Sequence, residues 1–138
     1  MHTMDVDFAN HVNEHMRDCF EDCLRCHEAV TQYIVHGPSR GGAHAEAVHL
    51  MLLMDCAEIC RTSADFMQRG SDLHHFTCGV CSKICERCAD ACNQIEAKDE
   101  YMQRCVEACR RCAESCRQMA SHHTNDHDHA ETHRPALH

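Results

Sequence analysis

Between residues 78 and 92 the chain reads CGVCSKICERCADAC, with Cys78, Cys81, Cys85, Cys88 and Cys92 three or four residues apart. A second run follows, with Cys105, Cys109, Cys112 and Cys116 on the same steps. Cys19, Cys23 and Cys26 repeat the pattern near the start, and Cys56 and Cys60 add two more, making fourteen cysteines in 138 residues. Thiols at such density can serve as small hydrophobes, as disulfide partners or as metal ligands. Cys buries less apolar area than Leu, so each exchange forfeits about 1 to 2 kcal/mol of core stabilisation, and fourteen exchanges need an offset. Disulfides fit poorly, because neighbours three and four residues apart on one helix have parallel Cα to Cβ directions. CGVC lacks the preceding strand that a thioredoxin-like site requires. Metal binding remains.

The choice of metal follows from charge. Residues at i, i+3 and i, i+4 on a helix lie about 5 to 6 Å apart at Cβ, close enough for one ion to bridge two sulfurs. Helix backbone N–H groups are consumed by the i to i−4 ladder and cannot donate to these thiolates as loops would. A zinc ion on four thiolates keeps a net charge of about −2, costly to bury repeatedly. Cu(I) is soft and monovalent and accepts low coordination, so one ion per bridging thiolate leaves the interior near neutral. This predicts multiple Cu(I) ions per chain, on the order of 14 with a few more at the column's end.

The elements that must position these thiols are helices. His74, Cys78, Cys81, Cys85, Cys88, Cys92 and Ile95 alternate steps of four and three, as do Met102, Cys105, Cys109, Cys112, Cys116, Met119 and His123. Val12, Met16, Cys19, Cys23, Cys26, Val30 and Tyr33 form a third stripe, and His49, Leu53, Cys56, Cys60, Ser63 and Met67 a fourth. A 3.5-residue period is the seam of a helix packed in a bundle. The four segments run from about residue 6 to 35, 43 to 68, 72 to 96 and 100 to 121, divided at HGPSRGG, RGSD and EAKDE. Gly70 is placed to end the second, and Ser71 or Asp72 to cap the third. Short connections favour antiparallel neighbours, so the fold class is all-α: an antiparallel up-down-up-down four-helix bundle with a Cys-lined core. Residues 1–121 form this domain, and 122–138, a polar stretch with six His, are expected to be a disordered tail.

Composition removes other classes. A formal charge of −9 argues against nucleic acid as a partner, which requires clustered Lys and Arg. No segment is long enough to span a bilayer and no secretory signal is visible, so the expected location is cytoplasmic, with reduced thiols. No catalytic constellation stands out, so an enzyme is not expected. Two alternatives keep a thiol role: a zinc or cadmium buffer, and an iron–sulfur electron-transfer protein suggested by CGVCSKICERC. The usual C-x2-C-x2-C-x3-C-P order of the latter is missing.

The runs FTCGVCSKICERCADAC and YMQRCVEACRRCAESCRQMA resemble the cysteine-rich four-helix-bundle copper storage proteins, the Csp family, over about residues 8 to 120. The resemblance implies Cu(I) storage on the fourteen cysteines, a cytosolic location and assembly as a homotetramer. A copper chaperone or chelator would be the donor or acceptor. The sequence departs from a uniformly lined bundle on its second helix, where Ser63 stands at a thiol position; that layer is expected to bind weakly or not at all. HLMLLMDC, apolar around more than one face, agrees with a subunit contact.

Threading the stripes through alternating directions gives two unlike ends. One mouth collects His11, His15, Met16, Met67, His74, His75, Met119 and His123. Of these His15, Met67, His74, Met119 and His123 are candidate ligands for entering ions, since imidazole and thioether bind Cu(I) more weakly than thiolate. The other end collects Val30, Tyr33, Ile34, Leu52, Leu53, Ile95 and Met102 and reads as a plug.

Overall fold

The computed structural model describes residues 3–37, 41–42, 46–95 and 99–131, with side chains described only between residues 14 and 121. It contains α1 (Thr3–His36), α2 (Ala47–Gln68), α3 (His74–Asn93) and α4 (Glu100–Glu131). Each helix packs on its two neighbours in the cycle α1, α2, α3, α4, and the diagonal pairs meet through side chains at the axis, as Cys26 of α1 with Cys85 of α3 and Cys56 of α2 with Cys109 of α4. This is the expected four-helix bundle, with an axis that side chains from all four helices reach. The thiol stripes turn inward because the intervening Glu, Arg, Asp and Gln carry charge or amide groups that stay in water.

Polar links between helices fix the register. His27 Nδ1 donates to the Ala57 carbonyl at 2.7 Å, tying α1 to α2. Ser82 Oγ donates to the Ala113 carbonyl at 3.0 Å between α3 and α4, and Ser115 donates to the Asp22 carboxylate between α4 and α1. A one-residue slip would break all three and rotate the thiols out of the core.

The helix ends depart in places from the expected boundaries. Gly70 ends α2 as predicted, at φ +69°, with its N–H on the Met67 carbonyl at 3.0 Å and the Ser71 N–H on the Phe66 carbonyl at 3.0 Å. That pair of bonds is a Schellman closure, which needs a left-handed residue. Neither Ser71 nor Asp72 caps α3 with its side chain. Leu73 is the N-cap, and the Ser71 hydroxyl accepts the Leu73 N–H at 3.1 Å. The first turn is instead held by His74 Nδ1 on the Ser71 carbonyl at 2.8 Å and His75 Nδ1 on the Asp72 carbonyl at 2.9 Å. Asp99 caps α4, its Oδ1 accepting the Met102 N–H at 2.8 Å. α4 continues in helix to Glu131, ten residues past the position where the bundle was expected to give way to an irregular tail. Residues 132–138 lie outside the described residues.

Two glycines yield opposite predictions. Gly70→Ala forces a side chain into the left-handed region and should cost about 1 kcal/mol. A methyl at Gly79, in mid-α3, would rest at ordinary contact, 3.8 Å from the Ala120 Cβ, so Gly79→Ala should gain about 0.5 to 1 kcal/mol. Thermal melts of the metal-free variants should move Tm down for the first and up for the second; the same direction for both would contradict these backbone assignments.

Candidate metal centre

The four stripes meet as layers across the bundle axis. By register, the central layers are Cys23, Cys60, Cys81 and Cys112, then Cys26, Cys56, Cys85 and Cys109. Toward the mouth lies a layer of Cys19, Ser63, Cys78 and Cys116, covered by Met16, Met67, His74 and Met119. Toward the other end come Val30, Leu53, Cys88 and Cys105, then Tyr33, His49, Cys92 and Met102. All fourteen cysteines are free thiols, and all are buried.

Sulfur separations connect the layers into a column. Cys60 lies 3.7 Å from Cys81 and 3.6 Å from Cys85. Cys56 lies 3.7 Å from Cys85 and 3.8 Å from Cys109, and Cys26 is 3.6 Å from Cys109. Nearer the mouth, Cys23 is 3.5 Å and Cys19 3.6 Å from Cys116. With metal–sulfur bonds of about 2.3 Å, a trigonal ion sets its sulfurs about 4.0 Å apart and a linear one about 4.6 Å. Several sulfur sets fall within 4.8 Å throughout: Cys23, Cys81, Cys112 and Cys116; Cys26, Cys56, Cys60 and Cys85; Cys56, Cys88 and Cys109. Small side-chain adjustments therefore suffice to admit bridging ions.

The electrostatics of the column favour protons on most sulfurs. Cys116 is pushed far above the ordinary thiol range, first by its contact with Cys112; Cys60 is raised, also first by Cys112, and Cys109 first by Cys105, with burial adding to each. Cys112 and Cys56 are lowered instead, Cys116 and Cys109 respectively acting as their principal hydrogen-bond partners. The arrangement is that of a few thiolates stabilised by surrounding S–H donors. Nine thiols are raised and four lowered, so the folded chain holds more protons than the unfolded chain above pH 9.0, the ordinary thiol value.

The candidate mouth residues are not equivalent. Met67 and Met119 are buried over the thiol column. His74 is half-buried, and its Nδ1 donates to Ser71, which leaves Nε2 as the basic nitrogen. His15 is half-buried beside the column, lining a groove of about 430 Å³ between α1 and α4 together with Met119, Asp18, Asp22 and Ser115. Burial pushes the Asp22 carboxyl there above its usual value, against the lowering effect of the Ser115 bond. The side chains of His123 and His11 lie outside the described residues.

The far end is less apolar than its plug-like composition suggests. Val30, Tyr33, Leu53 and Met102 are buried there. Among them is His49, 8% exposed, with Nε2 at 3.4 Å from the Tyr33 hydroxyl and 3.9 Å from Cys92 Sγ. Sequence reasoning placed His49 at the start of the stripe carried by α2 but did not name it as a ligand. The signal was its alignment with Cys92, visible only once the layers were counted from the mouth.

A closed stack of buried thiols in a four-helix frame defines a protein that holds several soft metal ions rather than one structural ion. The family model for copper storage proteins matches residues 12–121, and the chain belongs to that family. Among solved structures it is similar to the Nmul_A1745 protein of Nitrosospira multiformis, at 42% identity and a TM-score of 0.73, covering 78% of this chain and 96% of that one. It is also similar to Cu(I)-bound BsCsp3 of Bacillus subtilis, at 30% identity and 0.71, covering 77% and 98%. A cytosolic copper storage protein of Streptomyces lividans, solved with five coppers, follows at 27% and 0.74, covering 81% and 97%.

The proton balance predicts an alkaline weakness of the metal-free fold. A raised thiol contributes stability that is intact below its unfolded value and lost as pH climbs, whereas a lowered one contributes stability present only above that value. The raised group is the one that keeps its protons above pH 9.0, so stability should fall as pH climbs past that value. Melts of the reduced, metal-free chain between about pH 7 and pH 10 should show Tm declining at the alkaline end. A flat or rising Tm would contradict the sign.

Proposed function

We propose that this protein stores copper, holding many Cu(I) ions on the thiolates of Cys19, Cys23, Cys26, Cys56, Cys60, Cys78, Cys81, Cys85, Cys88, Cys92, Cys105, Cys109, Cys112 and Cys116. The observation that carries the reading is the burial of all fourteen as free thiols along one axis. Where Cu(I) replaces a thiol proton, the proton leaves to solvent and the interior gains no net charge; on a sulfur already ionised the ion neutralises the charge. The ferredoxin-like alternative needs cluster loops, but Cys78 to Cys92 lie wholly within α3. Anaerobic titration of the reduced chain with Cu(I) against a competing cuprous chelator should reach about 14 equivalents. Saturation at one or two ions, or preferential retention of zinc, would overturn the reading.

Met67, His74 and Met119, with His15 at the adjoining groove and His123 one turn beyond Met119, form the proposed entry. Their weaker donors would receive an ion and pass it to Cys19, Cys78 and Cys116. Replacing His74, Met119 and His123 together by Ala should slow early loading several-fold at unchanged capacity; loading at the parental rate would remove the port.

The same reading places the protein in the cytoplasm, as a homotetramer that exchanges copper with a chaperone or chelator. Assembly is supported by the outward apolar side chains of α2, where Val48, Met51 and Met54 are exposed in the single chain. Burial of such side chains between subunits is the usual use of an apolar face.

A further inference from the structure

Ser63 is fully buried, and its Oγ has no hydrogen-bond partner. Such a group costs the fold stability unless something at the site uses it. Ser63 follows Cys60 by one inward step on α2. Cys60 faces Cys81 and Cys112, and the next positions toward the mouth on α3 and α4 are Cys78 and Cys116. These two and Cys19 have sulfurs within 4.8 Å of one another, forming the three-thiol layer in which Ser63 is the fourth corner. The side chains covering this layer on its outer side are thioethers and an imidazole.

We infer that Ser63 makes the Cys19–Cys78–Cys116 layer the exchangeable layer of the store. This rests on the copper reading and deepens it. A hydroxyl keeps its proton and is a hard oxygen, so it contributes no strong bond to Cu(I). An ion in this layer therefore has three thiolates to bridge, where each of the two layers beneath offers four. The hydroxyl has a different use: its O–H donates to a thiolate of the layer, supplying the hydrogen bond that helix backbone N–H groups cannot. A thiolate left temporarily without its ion is thereby stabilised in place. Weak retention and a stabilised empty state together are what a transfer step between mouth and inner column requires. The orphan hydroxyl of the metal-free protein is the donor waiting for that thiolate.

The test compares the wild type with Ser63→Ala and Ser63→Cys, each reduced, loaded anaerobically with Cu(I), and challenged with excess bathocuproine disulfonate while release is followed by absorbance. The wild type should release copper in a fast minor phase and a slow major one. Ser63→Cys should slow the fast phase at least about tenfold and add capacity, because the layer becomes four-thiolate. Ser63→Ala should keep the capacity and slow the fast phase several-fold, because the vacated thiolate loses its donor. Without metal, Ser63→Ala should melt about 3 °C higher than wild type, because it removes a buried unpaired hydroxyl. A higher Tm without copper together with slower release of bound copper is the signature expected of Ser63→Ala. Three proteins with the same release kinetics, or a single-phase wild type, would overturn the assignment of Ser63 while leaving storage intact. Failure of the wild type to load copper at all would instead strike the proposed function.

Discussion

The structure depends on one constraint: sulfurs carried on straight helices have no backbone donors to share their charge. In a loop, a thiolate can gather several N–H groups; here every N–H at the thiol positions is committed to the helix ladder. Negative charge in the column must therefore be balanced by bound cations, by protons, or by the few side-chain donors that reach it. A monovalent ion achieves that balance one sulfur at a time, whereas a divalent ion in a four-thiolate site cannot. The raised Cys116, Cys60 and Cys109 express the same constraint, keeping their protons where a buried charge would have no donors.

From this follows the division of the bundle into a centre and two unlike ends. The two central layers are all thiol and offer the most bridging positions. The mouth exchanges thiol for thioether, imidazole and, at Ser63, hydroxyl, each a weaker donor to a soft cation than the thiols beneath. The far end mixes Val30, Leu53 and Met102 with His49 and Cys92, closing the column with bulk while retaining one imidazole next to a thiol. Interhelix bonds such as His27 to Ala57 and Ser82 to Ala113 hold this order without placing a polar group among the sulfurs. The outer surface is left to charged pairs, among them Arg110 with Asp90 and Arg104 with Glu100, which are exposed and contribute little to stability.

Much of this was legible in the chain because a 3.5-residue stripe reports both the helix and its buried face. Alternating directions then dictate which residues share a layer, as Cys23 with Cys112 and Cys26 with Cys85 illustrate. What escaped has physical reasons. His49 opens its stripe beside Leu50, Leu52 and Leu53, and nothing in spacing distinguishes a buried imidazole near a thiol from a polar residue at a helix start. The side chains of Ser71 and Asp72 looked like caps for α3 because capping preferences are local, but the Ser71 hydroxyl takes the Leu73 N–H, one residue short of the helix, and Leu73 is left as the N-cap. The continuation of α4 to Glu131 was hidden because SHHTNDHDHAE carries no apolar period to read. Ser63 was visible as an interruption, yet only the structure shows that its hydroxyl is buried without a partner.

The account is tested most directly by anomalous diffraction at the copper edge from crystals of the Cu(I)-loaded chain. It predicts a line of copper peaks along the bundle axis, densest between Cys23, Cys26, Cys56, Cys60, Cys81, Cys85, Cys109 and Cys112. Copper confined to surface histidines, or an axis without peaks in a fully loaded crystal, would contradict it.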